Sequence, residues 1–380
     1  MEAPLDVTAA VKQRYTEAAK ARETALCCPV AYNPEYLKVI PKEVIEKDYG
    51  CGDPSAYVKA GETVLDLGSG SGKICFIASQ IVGREGRVIG VDMNDEMLSL
   101  ARKSSSLVAE KTGFNNVDFV KGRIEDLALN QQLVNDYLSA NPISNEEGLQ
   151  KFQAYCEKLR VSEPLIADNS VDVVVSNCVL NLVSANAKKQ LFSEIFRVLK
   201  RGGRAVISDI IADEEIPEHM RNDPTLWSGC ISGAFQEKAF IKAFEGAGFY
   251  GASLDKRDEK PWQTVEGIEF RAATVVAYKG KEGECWEHNE ALIFKGPFKS
   301  ATDDDGHTFT RGDRIAVCRK TFEIFSKPPY KDFFYGVKPL VEVTEAAPFP
   351  CTGGVIHRHP KETKGEDYKI TAACTDASCC

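Results

Sequence analysis

The sequence predicts an α/β fold, a doubly wound and mostly parallel sheet with helices on both faces, followed by a small separate domain. Three observations carry this expectation. Short strands rich in valine and isoleucine alternate with helical stretches from residue 61 onward, the pattern of a parallel sheet covered on both faces. A glycine-rich turn, Gly68-Ser69-Gly70-Ser71-Gly72, closes the first strand and opens a helix. After about residue 280 the alternation stops. A length of 380 residues suits two or three packed units.

In chain order, Thr63–Leu67 reads as the first strand and Ile74–Val82 as the helix after the glycine turn. Arg87–Asp92 is the second strand, followed by a helix over Asp95–Lys111. Val117–Lys121, Val171–Asn177 and Arg204–Ile211 complete five buried strands. Between the last two, Leu191, Ile195, Val198 and Leu199 share one face of a helix over Ala187–Leu199, which Gly202-Gly203 is expected to end. Residues 130–165 are polar with a weak helical pattern and read as a surface insertion. Residues 212–232 are acidic, then rich in Pro, Asn, Trp and Gly, a loop long enough to be functional. Phe235–Gly246 reads as a further helix and Phe270–Ala277 as a further strand. Beyond residue 280, Asp303-Asp304-Asp305-Gly306 is a turn, Phe322–Phe334 is rich in aromatics, and a polar tail begins near residue 360.

Composition narrows the function. A net charge of −9 argues against nucleic acid, which needs a basic face to replace released counterions, and against an anionic membrane surface. No apolar run is long enough to span a membrane, and the acidic start Met1-Glu2-Ala3-Pro4-Leu5-Asp6 is unlike a secretory signal. A small substrate and a cytoplasmic setting are expected. The 13 cysteines are an odd number and cannot all pair within one chain. In a reducing compartment such cysteines more often bind metals or do redox chemistry. Cys75, in an apolar helix, and Cys156, in a polar one, read as packing.

The glycine turn admits three ligands. A P-loop needs glycine five residues before Gly72 and Ser/Thr after Lys73, where Leu67 and Ile74 stand. A dinucleotide pyrophosphate would meet the carboxylate of Asp66 at the strand end, and like charges repel. S-adenosylmethionine brings a cationic ammonium and sulfonium, which an acid there would favour. Asp92 ends the second strand, where a carboxylate accepts from ribose hydroxyls. Met93 can pack on adenine, and Glu125, beside Ile124, can accept from the adenine amine. Taken with Gly68, Ser69, Gly70, Gly72 and Asn177, these are the candidate cofactor residues. In order along the chain they resemble the class I S-adenosylmethionine methyltransferases over about residues 61–280. That resemblance implies a Rossmann-like sheet of seven strands ending in an antiparallel hairpin.

The acceptor is indicated by three cysteines. Cys178 follows the fourth strand, whose end faces the ligand crevice in a doubly wound sheet. Cys230 lies in the 212–232 loop and Cys51 in Tyr49-Gly50-Cys51-Gly52. Structural zinc sites usually carry four ligands with C-x₂₋₄-C pairs, which are absent here. Trivalent arsenic takes three thiolates and keeps a nucleophilic lone pair that can meet a sulfonium methyl.

Tyr-Gly-Cys-Gly, Ser-Asn-Cys-Val-Leu-Asn-Leu and Leu-Trp-Ser-Gly-Cys resemble motifs of the arsenite methyltransferases, and the similarity runs over most of residues 1–340, with Tyr15 and Phe294 included. The resemblance implies Cys51, Cys178 and Cys230 as arsenic ligands. It also implies that Cys27 or Cys28 exchanges disulfides with Cys51. Thiols would reduce pentavalent products, with glutathione or thioredoxin as partner and reductant. The sequence departs from the family at Gly229, where Glu is often found, and in its doubled Cys27-Cys28.

The expected organisation is an N-terminal segment 1–60 holding Cys27, Cys28 and Cys51, a cofactor domain 61–211, an arsenic-binding segment 212–280, and a C-terminal domain 281–380 with a thiol-rich tail. Trp227 reads as a packing anchor. Cys351-x₅-His357-x-His359 lacks a fourth ligand and reads as a loop. Cys374, Cys379 and Cys380 read as a disordered tail, or as a device that captures arsenic for delivery. Two other functions are open: an enzyme of the same fold with a carbon or nitrogen acceptor, and a thiol-based metalloid sensor or buffer, which would not need the cofactor site.

Overall fold

The computed structural model describes residues 7–20, 23, 30–351 and 354–364. They divide into two compact units, Met1–Lys279 and Gly280–Cys380. The segments expected to meet at residues 60/61 and 211/212 therefore pack as one unit.

The first unit is built on strands β1 (Thr63–Leu67), β2 (Arg87–Asp92), β3 (Val117–Lys121), β4 (Val171–Asn177), β5 (Leu199–Ala212), β6 (Phe235–Gln236), β7 (Tyr250–Arg257), β8 (Gln263–Val265) and β9 (Ile268–Tyr278). Their order is β3-β2-β1-β4-β5-β9-β7, with β6 added to β5 and β8 to β9. The first five strands run parallel, whereas β9 is antiparallel to both β5 and β7. Seven strands ending in an antiparallel hairpin were implied by the resemblance; the two short strands are additions to it.

Side-chain alternation explains why both faces are covered. Val64, Val88, Val173, Val175, Val206 and Val276 point to one face, packed with Ile74, Phe76 and Ile77 of the helix Lys73–Val82 and with Leu98. Leu65, Leu67, Val174, Ala205, Ile207 and Val275 point to the other, against the helices Ala185–Val198 and Glu237–Gly246. Each such large side chain, fully removed from water, contributes about 1.5–3 kcal/mol before entropy is counted.

Several local expectations change. The helix expected to end at Gly202-Gly203 stops at Val198, and both glycines lie inside β5. Residues 130–165 form two helices, Gln131–Ala140 and Glu146–Ser162, each capped by an asparagine, Asn130 and Asn145. Phe235–Gln236 is a strand before its helix begins. Helix α1 (Val7–Lys20) precedes the sheet.

The second unit holds an antiparallel sheet of Ala291–Phe294 between Arg314–Ala316 and Phe334–Val337, and a hairpin, Ser300–Thr302 with Thr308–Thr310, around the expected Asp-rich turn. Phe294, Phe309, Phe322, Phe325 and Phe334 form most of its core. The chain near residue 360 is not yet tail: Pro360–Lys364 is a helix whose buried Thr363 accepts from Leu340 N at 2.7 Å.

Candidate active site

Two crevice walls come from the ends of β1 and β2. Gly68 N and Ser69 N both donate to Val91 O, at 2.8 and 3.0 Å, strapping the glycine turn to β2. Gly68 has φ +68°, and a Cβ there would lie 2.4 Å from Val179, so no other residue fits. The crevice is lined by Asp66, Gly68, Ser69, Gly70, Asp92, Met93, Ile124, Glu125, Asn177 and Cys178. Gly72 lies outside this lining and instead caps the helix Lys73–Val82 with φ +92°.

Asp66 is buried and accepts from Cys75 Sγ at 3.2 Å, so Cys75 does more than pack. Burial pushes the Asp66 carboxyl up to about 7, opposed by the Cys75 hydrogen bond and assisted by the Asp48 and Asp92 carboxylates. Asp92 accepts from Asn94 N at 2.8 Å and Gly70 N at 2.9 Å. Burial raises its carboxyl while these backbone donors hold it down. Among the described residues neither carboxylate pairs with Lys or Arg, and the buried Ser69 Oγ has no hydrogen-bond partner. Unneutralised acids and an orphan hydroxyl fit a cationic ligand bearing hydroxyls, and would repel a pyrophosphate. Glu125 is partly occupied, since Arg123 Nε donates to it at 2.7 Å. Lys73, the residue that tested the P-loop reading, is buried against Asp48 and stacked 3.9 Å over Tyr32.

The thiols lie at the same end of the sheet. Asn177 was expected to touch the cofactor; it lines the crevice, but its side chain chiefly holds the Cys51 turn. Its Oδ1 accepts from Cys51 N and Gly52 N, at 2.9 and 3.0 Å, and its Nδ2 donates to Gly52 O at 2.7 Å. The approach is so close that a Cβ on Gly50 would lie 2.1 Å from Nδ2. Cys178, with φ +60°, and Cys230, with φ +63°, both occupy the left-handed region, a strained conformation for non-glycine residues that clusters at functional sites.

Cys51 and Cys178 are joined as a disulfide. The expected partners of Cys51 in disulfide exchange, Cys27 and Cys28, lie outside the described residues. Asn177 delivers the Cys51 turn onto the residue after β4. Cys230 Sγ donates to Cys178 O at 3.5 Å and meets Tyr15 Oη at 3.9 Å. Burial, then the neighbouring Cys230 thiol, pushes the Tyr15 phenol well above its ordinary value, so it remains an O–H group. All three cysteines are buried in one apolar cluster with Ile210, Met220, Ile231 and Phe270. Trp227 is buried and donates Nε1–H to Leu182 O at 3.3 Å.

Asp209 was not foreseen. Its carboxylate lies with the Cys51 and Cys178 sulfurs, all within 4.8 Å of one another. Burial pushes it up to about 6, restrained by N–H donors of Ile210 and Asn181. The available signal was a polar pair, Ser208-Asp209, inside the otherwise apolar run Ala205–Ala212.

Residues 58–248 match the family model described as a methyltransferase domain, and residues 281–368 match a domain of unknown function. The chain is 30% identical over 328 residues to the arsenite methyltransferase of Aquipseudomonas alcaligenes, covering 82% of this chain and 84% of that one. It belongs to the arsenite methyltransferase family. The Mus musculus arsenite methyltransferase is 31% identical over 317 residues, covering 80% of this chain and 75% of that one. Among solved structures, an arsenic(III) S-adenosylmethionine methyltransferase from Chlamydomonas reinhardtii matches with a TM-score of 0.55 and 26% identity, over 85% of this chain and 99% of that one. At Gly229, where arsenite methyltransferases often carry Glu, an ideal Cβ would lie 3.3 Å from Arg14 Nη1. Arg14 donates instead to Thr225 O and Ser228 Oγ, at 3.0 and 3.1 Å, fastening α1 to the Cys230 loop.

Proposed function

We propose that this chain methylates trivalent arsenic, arsenite first and methylarsenite next, held by the thiolates of Cys51, Cys178 and Cys230. The observation that carries the reading is the convergence of these three cysteines at the sheet end, with Cys178 also lining the acidic crevice. S-adenosylmethionine supplies an electrophilic methyl group when bound. Asp66 and Asp92 would hold its cationic and hydroxyl groups, Met93 and Ile124 would pack on its base, and Glu125 would accept from its amine.

The chain's own residues do the rest. Three thiols displace the three hydroxyls of arsenite, each releasing water. They leave the arsenic lone pair as the nucleophile, so no general base is required. Methyl gain raises arsenic to the pentavalent state. Coupling of the Cys51 and Cys178 sulfurs, which are close enough to be bonded, returns two electrons to arsenic as a disulfide. A thiol reductant, glutathione or thioredoxin, then reopens it, which suits a cytoplasmic enzyme; no helix among the described residues is long and apolar enough to cross a membrane. The test is incubation with arsenite, thiol and methyl-labelled S-adenosylmethionine, followed by arsenic speciation. Labelled methylarsenicals are expected; unlabelled arsenite alone would overturn the reading.

A further inference from the structure

The C-terminal unit gathers three more cysteines that the methyl-transfer site does not use. Cys285, Cys318 and Cys351 place their sulfurs within 4.8 Å of one another. They come from separate segments. Cys285 precedes the strand Trp286–Glu287, which pairs with Ala347–Pro348 just before Cys351. Cys318 opens the helix Arg319–Phe325. Backbone bonds fix the spacing: Phe349 N donates to Cys285 O at 2.8 Å, and Cys351 N to Phe349 O at 2.9 Å. All three are thiols rather than disulfides, and an odd set cannot pair off internally. Cys318 is buried, Cys285 half-buried and Cys351 exposed, so the cluster opens to solvent on one side. Cys318 and Cys351 also line a cavity with Val317, Phe349 and Ile356.

The donor set discriminates among ligands. Three thiolates bonded at about 2.3 Å to a common pyramidal ion lie roughly 3.5 Å apart, so sulfurs already within 4.8 Å of one another close on an ion by a shift of under about 1 Å each. Among the described residues no histidine or carboxylate joins it. His357 and His359, which follow Cys351 in sequence, do not join the cluster; the His357 main chain pairs with Ile315, and His359 Nδ1 accepts from Lys361 N at 3.1 Å. Zinc in structural sites takes four ligands. Three soft donors, open on one side, suit an ion that wants three bonds and a lone pair.

We propose that Cys285, Cys318 and Cys351 form a second binding site for trivalent arsenic, separate from the methyl-transfer site. Loading is ligand exchange: three S–H groups and As(OH)₃ give three As–S bonds and three waters, with no redox change. The choice of arsenic rests on the proposed function, but the binding does not need methyl transfer and is measured without S-adenosylmethionine.

The experiment uses the reduced, metal-free full chain with arsenite as probe. In one background Cys27, Cys28, Cys51, Cys178, Cys230, Cys374, Cys379 and Cys380 are all replaced by Ser. After gel filtration this background is expected to retain one arsenic per chain, with three sulfur neighbours by X-ray absorption. Adding Cys351→Ser should weaken binding at least tenfold and leave two sulfurs. Because Cys351 is exposed, that change opens no core. In the otherwise unaltered chain, Cys351→Ser alone should lower the bound arsenic by one and leave methylation in place, which guards against misfolding of the multiple variant. Unchanged stoichiometry in Cys351→Ser and in Cys285→Ser would overturn the proposal. So would zinc that copurifies at this cluster and resists displacement by arsenite. Loss of methylation with this binding intact would count against the proposed function alone.

Discussion

Replacing Asn177 by Ala tests whether the Cys51 turn is a separable arsenite-binding element. Four hydrogen bonds disappear: from Cys51 N, from Gly52 N, to Gly52 O and to Tyr32 Oη. Gly52 O keeps a donor, since Tyr32 Oη also reaches it at 3.0 Å. The lasting loss is therefore the pair of N–H groups, each costing about 1–3 kcal/mol if left dry. Water entering the space lowers the total to roughly 2–4 kcal/mol on the seated turn, or about 30-fold to several-hundred-fold in its population. Arsenite needs three protein thiolates, whereas methylarsenite has one unexchangeable As–C bond and needs two. Turnover on arsenite should fall by about 30-fold or more, while turnover on methylarsenite, held by Cys178 and Cys230, should change by less than about threefold. Both assays run at one thiol concentration, with S-adenosylmethionine affinity measured by calorimetry because Asn177 also lines the crevice. Equal losses on both substrates at unchanged cofactor affinity would refute the reasoning, as would full arsenite turnover.

Cys51→Ser should abolish the arsenite step and spare the methylarsenite step, whereas Cys178→Ser or Cys230→Ser should abolish both, as read by speciation of each product. Asp66 is raised from 3.8 to about 7 in the folded protein, so between those values the native state holds a proton that the unfolded chain has lost. Its contribution to stability therefore falls as pH rises through that window and levels off above it. A cationic ligand favours the ionised carboxylate, so S-adenosylmethionine affinity should climb with pH, by up to about tenfold per unit, until about pH 7. Asp66→Asn should flatten that profile in calorimetry, and a slope that survives the substitution would assign it elsewhere. Cys178→Gly should unfold about 1–2 kcal/mol less readily than Cys178→Ala, because only alanine still carries the left-handed backbone cost; in a calorimetric melt that is roughly 2–8 °C. Ending the chain after Lys364 should leave methylation in place, whereas ending it after Pro360 removes buried Thr363 and should lower the melting point of the C-terminal unit.

The sheet was legible because its signal is periodic: alternate residues of β1, β4 and β5 feed opposite cores, and only apolar β-branched runs satisfy both. The acids of the crevice were legible for a related reason, since a strand end in this fold faces the ligand. What was not legible depends on direction rather than position. Asn177 lies where a cofactor contact belongs, yet its amide turns toward a turn 125 residues earlier. The Cys51–Cys178 bond spans 127 residues, and no local pattern announces a contact that distant. Asp209 hid inside a strand that otherwise reads as core. The Cys285, Cys318 and Cys351 cluster was invisible for the same reason, while the nearby Cys351, His357 and His359 drew attention that the backbone does not support.

The left-handed backbone at Cys178 and Cys230 has a consequence for how this protein can change over generations. At most positions, losing a functional side chain also loosens the fold, so damage to activity and damage to stability are selected against together. Here the two partly diverge. A single-base change from a cysteine to a glycine codon deletes the thiol and relaxes the main chain, but it also empties a buried apolar position and, at Cys178, removes the cross-link to Cys51. Each of these side chains is therefore held between two opposing terms, an apolar packing that favours the thiol and a main chain that favours glycine.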